Sequence, residues 1–345
     1  MGLEVYTIED SDYWDKVVKS FKEYDTYWLS GYVKGFKIHG DGEPLLFYYQ
    51  TDTCKGINVV MKRDISTDEH FFGKLPPNKY WDFSTPYGYG GWLIEGKLDD
   101  NIFDLYEKWC KSNGIISEFV RFHPVIENHM YSSSRYTVVP LGNTVSLDIT
   151  SPDIIWANLT SKNRNAIRKS EKNGIKIYNG RYPEIFDSFK VIYDQTMIRD
   201  DAEKYYFFGE NFYKSILNDL PDNAQIFYAV YDNNVIASSI ILFANERMNY
   251  HLSGSIREYS SLAATNLLLY KAALWGCENG YKSFYLGGGV GSGEDSLFKF
   301  KKAFYRKDDV RRFYIGKKIY LEEVYQYLCN IREKIVGGFF PAYRA

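Results

Sequence analysis

The sequence is poor in the residues that build disulfide frameworks and metal sites. Four cysteines, Cys54, Cys110, Cys277 and Cys329, are spread over 345 residues, and none of them forms a C-x-x-C pair. Scattered thiols argue against a disulfide framework and a zinc site, and they fit a reducing cytoplasm. The five histidines are equally scattered and show no H-E-x-x-H spacing. The sequence therefore predicts no metal site.

The chain also lacks an excess of charge and any long apolar run. Its 42 Lys and Arg residues stand against 44 Asp and Glu, so no net field holds the whole molecule on DNA or on an anionic membrane. No apolar run approaches the ~18 residues of a membrane-spanning helix. The first residues are acidic and do not resemble a secretory signal. We expect a cytoplasmic protein without an integral membrane segment and without DNA as a partner, and peripheral membrane contact stays open.

Two segments have the pattern of a β-hairpin, in which apolar runs flank a turn rich in Gly, Asp or Asn. One covers residues 34–49 and the other residues 225–243. In addition, residues 109–119 align without gaps on residues 275–285, with matching Trp, Asn, Gly and Ser. In both copies a helix is predicted to end at Asn-Gly and a strand to follow. The two halves are therefore predicted to be copies.

A turn signal at residues 150–153 interrupts a strand pattern and places a domain boundary near residue 150. The predicted domains are residues 1–149 and 150–345. Helices and strands alternate in both, which indicates an α/β class with a mixed sheet in each domain.

The predicted helix over residues 161–172 carries a cationic stripe, because Arg164, Arg168 and Lys172 recur every four residues. Only Glu171 offsets five positive charges in this helix, although surface helices usually mix both signs. The stripe is either a solvated face or a phosphate-binding surface.

A glycine-rich turn follows a predicted strand at Gly287, Gly288 and Gly289. Glycines at such a point let backbone N–H groups approach an anionic ligand. It is not a P-loop, since no G-K-[ST] follows. A basic cluster follows, beginning with Lys299 and Lys301. Together these features favour a polyanionic ligand: a diphosphate-linked precursor, coenzyme A or the acceptor end of a tRNA.

Two further candidates are less specific. Residues 81–92 place three glycines among aromatic side chains, as in a loop that shapes a sugar or peptide pocket or, alternatively, in a tight turn with core aromatics. Arg199 suits a substrate carboxylate or phosphate, or an ion pair with Asp200 or Asp201.

Four segments in order resemble the Fem-type, peptidoglycan-bridge transferases among GNAT-like proteins. They are Ser161-Lys-x-Arg-x-x-Ile-Arg-Lys169, Ala263-Ala-Thr-Asn-Leu-Leu-Leu-Tyr270, Tyr285-Leu-Gly-Gly-Gly289 and Phe298-Lys-Phe-Lys-x-x-Phe304. The early Pro86-Tyr-Gly-Tyr-Gly-Gly91 also fits the first domain of that family. The resemblance implies two tandem GNAT-like domains that move an acyl or aminoacyl group onto an amine of a cell-envelope precursor, of peptidoglycan or polysaccharide.

The resemblance also implies partners and roles. No tightly bound cofactor is expected; the co-substrate is acyl-CoA or aminoacyl-tRNA, and the acceptor is a nucleotide- or lipid-linked sugar or peptide precursor. Lys301 is expected to stabilise the oxyanion or leaving group. The residues expected to bind the donor or its phosphates are Arg164, Arg168, Lys172, Arg257, Gly287, Gly288, Gly289 and Lys299. Those expected to form the acceptor pocket are Tyr87, Gly88, Tyr89, Gly90, Gly91 and Arg199.

One departure bears on the donor. GNAT enzymes usually hold the CoA pyrophosphate with a glycine-containing loop before a long helix, and residues 257–263 keep Arg257 but lack both glycines. Two alternatives therefore remain: an acyl-CoA-dependent N-acetyltransferase acting on an amino sugar or small amine, and a non-catalytic GNAT-like binding protein.

Overall fold

The computed structural model describes residues 2–332 and 337–345, which fall into two units. The first unit consists of the described residues of Met1–Leu141 and Phe313–Ala345, and the second of Gly142–Arg312. This division differs from the predicted boundary near residue 150 because the first unit also takes the last residues of the chain. The physical reason is a late strand, Arg311–Ile319, which pairs antiparallel with Ile115–Arg121.

The helices and strands follow one another in an α/β alternation. Up to residue 148 they are β1 (Leu3–Tyr6), α1 (Ser11–Lys19), α2 (Ser30–His39), β2 (Glu43–Gln50), β3 (Cys54–Asp64), β4 (Trp81–Ser84), β5 (Leu93–Gly96), α3 (Asn101–Ser112), β6 (Ile115–Arg121), α4 (His129–Ser132) and β7 (Thr137–Asp148). Thereafter they are α5 (Pro152–Asn158), α6 (Ser161–Lys172), β8 (Lys176–Gly180), α7 (Pro183–Arg199), α8 (Glu210–Asp219), β9 (Ala224–Tyr231), β10 (Asn234–Ala244), β11 (Arg247–Ser255), α9 (Ala264–Glu278), β12 (Ser283–Gly287), α10 (Ser296–Lys302), β13 (Arg311–Ile319) and α11 (Glu322–Arg332).

Each unit contains a mixed sheet, and the two sheets have the same topology. The strand order is β1-β2-β3-β4-β6-β13 in the first unit, with β5 also paired to β3, and β8-β9-β10-β11-β12-β7 in the second. In each sheet one neighbouring pair is parallel, β4 with β6 and β11 with β12. The connection between these parallel strands contains a helix, α3 or α9. The shared strand order and directions support the predicted duplication.

The two predicted helix ends at Asn-Gly are confirmed, and they are built alike. The side-chain amide of Asn113 donates to the carbonyl of Trp109 at 2.8 Å, and Asn279 donates to Trp275 at 2.8 Å. The glycine after each asparagine has a positive φ, 68° in one copy and 82° in the other. This left-handed conformation ends a helix at little cost only when the residue is glycine.

One predicted hairpin is confirmed and the other is wrong. Residues 225–243 form β9 and β10, joined by two turn residues with φ of 47° and 60°. Residues 34–39, however, complete α2, which ends at Gly40 with φ of 105°. The apolar residues before Gly40 recur at helical spacing, and Tyr32 and Phe36 are completely buried. The turn signal at Gly40 is thus a helix end.

Neither a membrane-spanning helix nor a metal cluster is found among residues 2–332 and 337–345. No helix there is long and apolar enough to cross a bilayer, and no three His, Cys, Asp or Glu side chains are grouped as metal ligands would be.

A buried ion network holds β4 in the first unit. The carboxylate of Asp82 is completely buried and accepts hydrogen bonds from Arg63 at 2.8 Å, from Tyr343 at 3.1 Å and from Arg344. Arg344 also contacts Asp68 at 2.9 Å. Burial alone raises the pKa of Asp82, but the charges of Arg344 and Arg63 outweigh it and hold the pKa below its usual range.

We expect Arg344→Ala to lower the free energy of unfolding by about 3 kcal/mol at pH 7, because it leaves a buried carboxylate short of a cation. The folded-state pKa of Asp82 is depressed, so this stabilisation is present above its unfolded pKa of about 4 and is lost as the pH falls below it. Urea denaturation at several pH values measures both effects. Arg135→Ala, which breaks the exposed pair with Asp104, should cost less than about 1 kcal/mol. An equal loss in the two variants would contradict the prediction.

Candidate functional site

The second unit has an opening between its two parallel strands. The ladder between β11 and β12 has its last pair at Asn249 and Tyr285, although β11 continues to Ser255 and β12 to Gly287. Just past that pair the register between β10 and β11 shifts and skips His251. Such a β-bulge bends a strand and often lies beside a functional site. The carboxyl ends of β11 and β12 are therefore not joined by ladder hydrogen bonds.

Lys301 of α10 reaches into this opening. Its Nζ donates a hydrogen bond to the carbonyl of Gly288 at 2.7 Å and lies 5.9 Å from the centre of the Tyr250 ring. Gly288 directly follows β12, and Tyr250 is the first residue of β11 beyond the last pair of the ladder, so the amine lies near both strands where their pairing stops. The Lys301 residue is 9% exposed. The structure thus places a nearly buried amine where the two strands stop pairing.

Burial lowers the pKa of Lys301 to about 8, and the charge of Asp295 opposes this shift. At neutral pH the side chain is mostly an ammonium that gives up its proton more easily than a surface lysine does. An ammonium has three N–H donors, and the carbonyl of Gly288 takes one of them. The others can stabilise negative charge that develops in the opening.

A cluster of hydroxyl groups lies on β10 and β11 near the bulge. The Tyr250 hydroxyl bonds the side chains of Ser239 and Ser253, whose oxygens lie 2.9 Å apart. The next residue, His251, stays neutral at physiological pH, because burial lowers its pKa to about 3. These residues are not among those predicted from the sequence. The available signal was the serine pair that starts at Ser238, inside an otherwise apolar strand.

Close packing accounts for the glycines of the predicted phosphate-binding turn. Gly287 has a φ of +83°, a conformation that costs other residues free energy. A Cβ on Gly288 would lie 2.9 Å from the carbonyl oxygen of Asn143, and a Cβ on Gly289 would collide with Asp295. Asp295 also caps the first turn of α10. The turn is thereby fixed beside the helix that carries Lys301, and its contact with phosphate stays a prediction.

The predicted cationic helix is confirmed as α6, with Thr160 as its N-cap. Arg164 is half-buried, and its guanidinium lies 3.4 Å from a serine hydroxyl of the same helix. Arg168 lies over Trp156, with 5.2 Å between its guanidinium carbon and the ring centre, and Lys172 is exposed. Most of the stripe therefore faces solvent, and phosphate binding by it stays a prediction.

The other predicted donor residues, Arg257 and Lys299, are exposed and lie on different elements. Arg257 begins the turn before α9, which contacts α6, whereas Lys299 belongs to α10. At the end of that turn Ala263 is left-handed, with φ of 56° and ψ of 35°. This conformation costs a non-glycine residue about 1–2 kcal/mol. The turn thus keeps a glycine-like backbone without glycine.

Arg199 forms the ion pair that was the alternative to a substrate role. Its Nε lies 2.9 Å from the carboxylate of Asp200, and its Nη1 donates to the carbonyl of Ser255 at 2.8 Å. Ser255 is the last residue of β11, so Arg199 lies at the unpaired end of that strand. Its role toward an acceptor stays a prediction.

In the first unit, the five predicted acceptor residues form a loop between β4 and β5. Side chains hold four of its carbonyl groups: Tyr32 donates to Tyr87 at 2.5 Å, Arg121 to Gly88 at 3.0 Å, Asn128 to Gly90 at 2.9 Å and Trp28 to Gly91 at 3.1 Å. These bonds, all formed within the unit, hold the backbone of the loop in place without a ligand. Below, residues 87–91 are called the acceptor loop.

A buried Asp25–His123 pair supports the acceptor loop. The imidazole Nε2 lies 3.1 Å from the Asp25 carboxylate, and neither residue is exposed. The Nδ1 atom accepts the N–H groups of Val125 and Ile126 at 3.2 Å, which places the ring proton on Nε2, toward Asp25. The ring of Tyr89 packs edge-on against His123 at 5.3 Å. The pair thus fixes one side of the acceptor loop.

The predicted residues therefore fall into two groups. Lys301 lies with Gly287 and Gly288 at the opening in the second unit. The same unit also contains the predicted residues of α6, the turn before α9 and Arg199. The acceptor loop belongs to the first unit. Each group is organised by contacts within its own unit.

Comparison with known proteins decides the fold. Residues 161–302 match the family model described as Acetyltransferase (GNAT) domain. This match indicates a GNAT-type acyltransferase fold in that segment. No curated protein sequence matches the chain.

Solved structures show the same fold over nearly the whole chain. The protein is similar to FemX, with a TM-score of 0.67 and 13% identity, over 95% of this chain and 99% of that one. It is also similar to a conserved protein of unknown function from Bacteroides thetaiotaomicron, with a TM-score of 0.59, 11% identity and coverage of 92% and 99%. A third similar structure is L-PGS from Bacillus licheniformis, with a TM-score of 0.52, 13% identity and coverage of 83% and 86%. The predicted FemX-like tandem GNAT fold is confirmed.

The position of Lys301 predicts that its ammonium titrates near pH 8, well below the value of about 10.4 for an exposed lysine. Lysine side-chain NMR over a pH series should show one early-titrating signal, and Lys301→Met should remove it. The result would contradict the structure if every lysine signal titrated above pH 10.

Proposed function

We propose that this GNAT acyltransferase moves an acyl or aminoacyl group onto an amine of a cell-envelope precursor, at the opening between β11 and β12. The observation that carries the proposal is the Lys301 amine, nearly buried between the unpaired ends of two parallel strands. The GNAT model match supports acyl transfer. The acceptor class is supported by the resemblance to Fem-type bridge transferases.

In the proposed reaction a neutral acceptor amine attacks the carbonyl carbon of an ester or thioester. A C–N bond forms, the C–O or C–S bond breaks, and the proton of the amine ends on the leaving oxygen or sulfur. Negative charge develops first on the carbonyl oxygen and then on the leaving group. We assign its stabilisation to the Lys301 ammonium, whose position and orientation are set by Gly288 before the reaction.

The binding roles follow the grouping of the residues. Phosphate groups of the donor are assigned to the second unit, where the basic helix α6 contacts the turn that begins with Arg257. These donor residues are Arg164, Arg168, Lys172, Arg257, Gly287, Gly288, Gly289 and Lys299. The acceptor, a nucleotide- or lipid-linked sugar or peptide, is assigned to the acceptor loop and Arg199. The fixed conformation of the loop supports its assignment, because preorganisation lowers the entropic cost of binding.

A second candidate, an acyl-CoA-dependent N-acetyltransferase acting on an amino sugar or small amine, is favoured by the start of α9. Ala263 keeps the left-handed backbone there. Among the described residues, no acceptor takes the N–H groups of Ala264 and Thr265. Such groups at a helix start suit a phosphate.

Calorimetry with acetyl-CoA at low and moderate salt separates the two donors. Micromolar binding that survives moderate salt would identify acyl-CoA as the donor and direct the search to small amines and amino sugars. No binding would direct it to aminoacyl-tRNA. Because exposed charge pairs are screened by salt, binding lost at moderate salt would not count as CoA recognition.

We expect Lys301→Met to lower kcat by about 100-fold or more, since one donor to a developing oxyanion is worth that much. The free energy of unfolding should change by only about 1 kcal/mol, because the lost hydrogen bond to Gly288 is offset by removal of a buried charge. Donor consumption with an amine acceptor, together with urea denaturation, measures both. Lys282→Met removes an exposed lysine paired with Glu246 and should leave turnover unchanged. Undiminished turnover in Lys301→Met would remove Lys301 from the mechanism.

A further inference from the structure

Arg121, the last residue of β6, lies against the acceptor loop and is not among the residues predicted from the sequence. Its half-buried side chain donates from Nε to the carbonyl of Gly88 at 3.0 Å. Its guanidinium carbon lies 5.2 Å from the centre of the Phe313 ring, and that ring packs edge-on against Tyr89 at 5.7 Å. The carbonyl and the ring together fix the orientation of the guanidinium beside the loop.

Arg121 differs from three other partly buried arginines of the same unit because no described carboxylate pairs with it. Arg63, Arg135 and Arg344 each contact an aspartate, at distances of 2.9 Å or less. A guanidinium has five N–H donors in a rigid fork, and the loop carbonyl uses only the one on Nε. A partly buried cation without a counter-ion is unfavourable, so a ligand that supplies the negative charge gains free energy here.

The chemistry of the surrounding loop agrees with an anionic ligand. Four carbonyl groups of the acceptor loop already accept hydrogen bonds from side chains, which leaves fewer acceptors for a ligand rich in donors. The terminal nitrogens of an arginine match the paired oxygens of phosphate and carboxylate groups. A lysine at this position would be a point charge without that fork.

We propose that Arg121 is an anion-binding residue of the acceptor loop and takes a phosphate or carboxylate group through a two-pronged hydrogen bond. This inference rests on the proposed assignment of the loop to the acceptor. Nucleotide- or lipid-linked precursors carry phosphates, and peptide precursors carry carboxylates. The ligand chemistry is the same in both cases, and two probes distinguish its sources.

The test is calorimetric binding of inorganic diphosphate and of glutarate to the full-length protein at low salt. Wild type should bind at least one probe, and Arg121→Gln should bind it about tenfold or more weakly, since a charge-assisted two-pronged contact is lost. Arg121→Lys should lie between them. Arg135→Gln, which alters an arginine already paired with Asp104, should bind as wild type does. Urea denaturation shows whether each variant is folded. If Arg121→Gln does not fold, the affinity of Arg121→Lys is compared with that of wild type instead.

The outcomes separate this inference from the proposed transfer reaction. Equal affinity of wild type and both Arg121 variants, or no binding of either probe to wild type, overturns the role of Arg121. Binding that depends on Arg121 in a protein without transferase activity would refute the proposed reaction and leave the anion site. An active enzyme whose acceptor KM is unchanged in Arg121→Gln would instead refute the anion site.

Discussion

The early end of the β11–β12 ladder is the constraint on which the second unit's site depends. Where strands inside a folded unit stop pairing, their backbone carbonyl groups need another hydrogen-bond donor, because a buried carbonyl without a donor costs free energy. The Lys301 ammonium supplies that donor to Gly288. The same bond orients the amine toward the opening. One hydrogen bond thus satisfies the carbonyl of Gly288 and orients the amine of Lys301. The glycine turn and the Asp295 cap hold α10 in the position from which Lys301 forms this bond.

The first unit has the same strand order but treats the corresponding place differently. After β4, the N–H of Thr85 donates to the carbonyl of Phe119 at 3.1 Å, and the N–H of Gly90 donates to that of Arg121 at 2.8 Å. Hydrogen bonding to β6 therefore continues where the ladder of β11 and β12 stops. The place of the opening is taken by the acceptor loop. Two units of the same strand order thus differ at this place: one has an opening that contains an amine, and the other has a loop held by hydrogen bonds. This difference agrees with the proposed assignment of group transfer to the second unit and of acceptor binding to the first.

Local signals in the sequence predicted the features that depend on neighbouring residues. The Asn-Gly helix ends and the hairpin of β9 and β10 each follow from the chemistry of a few adjacent residues. The hairpin over residues 34–49 failed because Gly40 suits a helix end as well as a turn, and only the burial of Tyr32 and Phe36 distinguishes the two. Placement of the late strand β13 in the first unit also depends on a partner, β6, far away in the sequence. Arg121 and His123 were missed for the same reason: their roles depend on contacts with Gly88 and Asp25, which no local pattern shows.

Some partly or fully buried cations of this protein differ in the groups that hold them. Arg63 and Arg344 meet the carboxylate of Asp82, so their charge is neutralised and stabilises the fold. Lys301 and Arg121 are held by carbonyl groups, of Gly288 and Gly88. A carbonyl dipole orients a cation without cancelling its charge, so the positive charge of each side chain is held at a fixed position. This arrangement agrees with the proposed roles of both residues toward negative charge on a ligand.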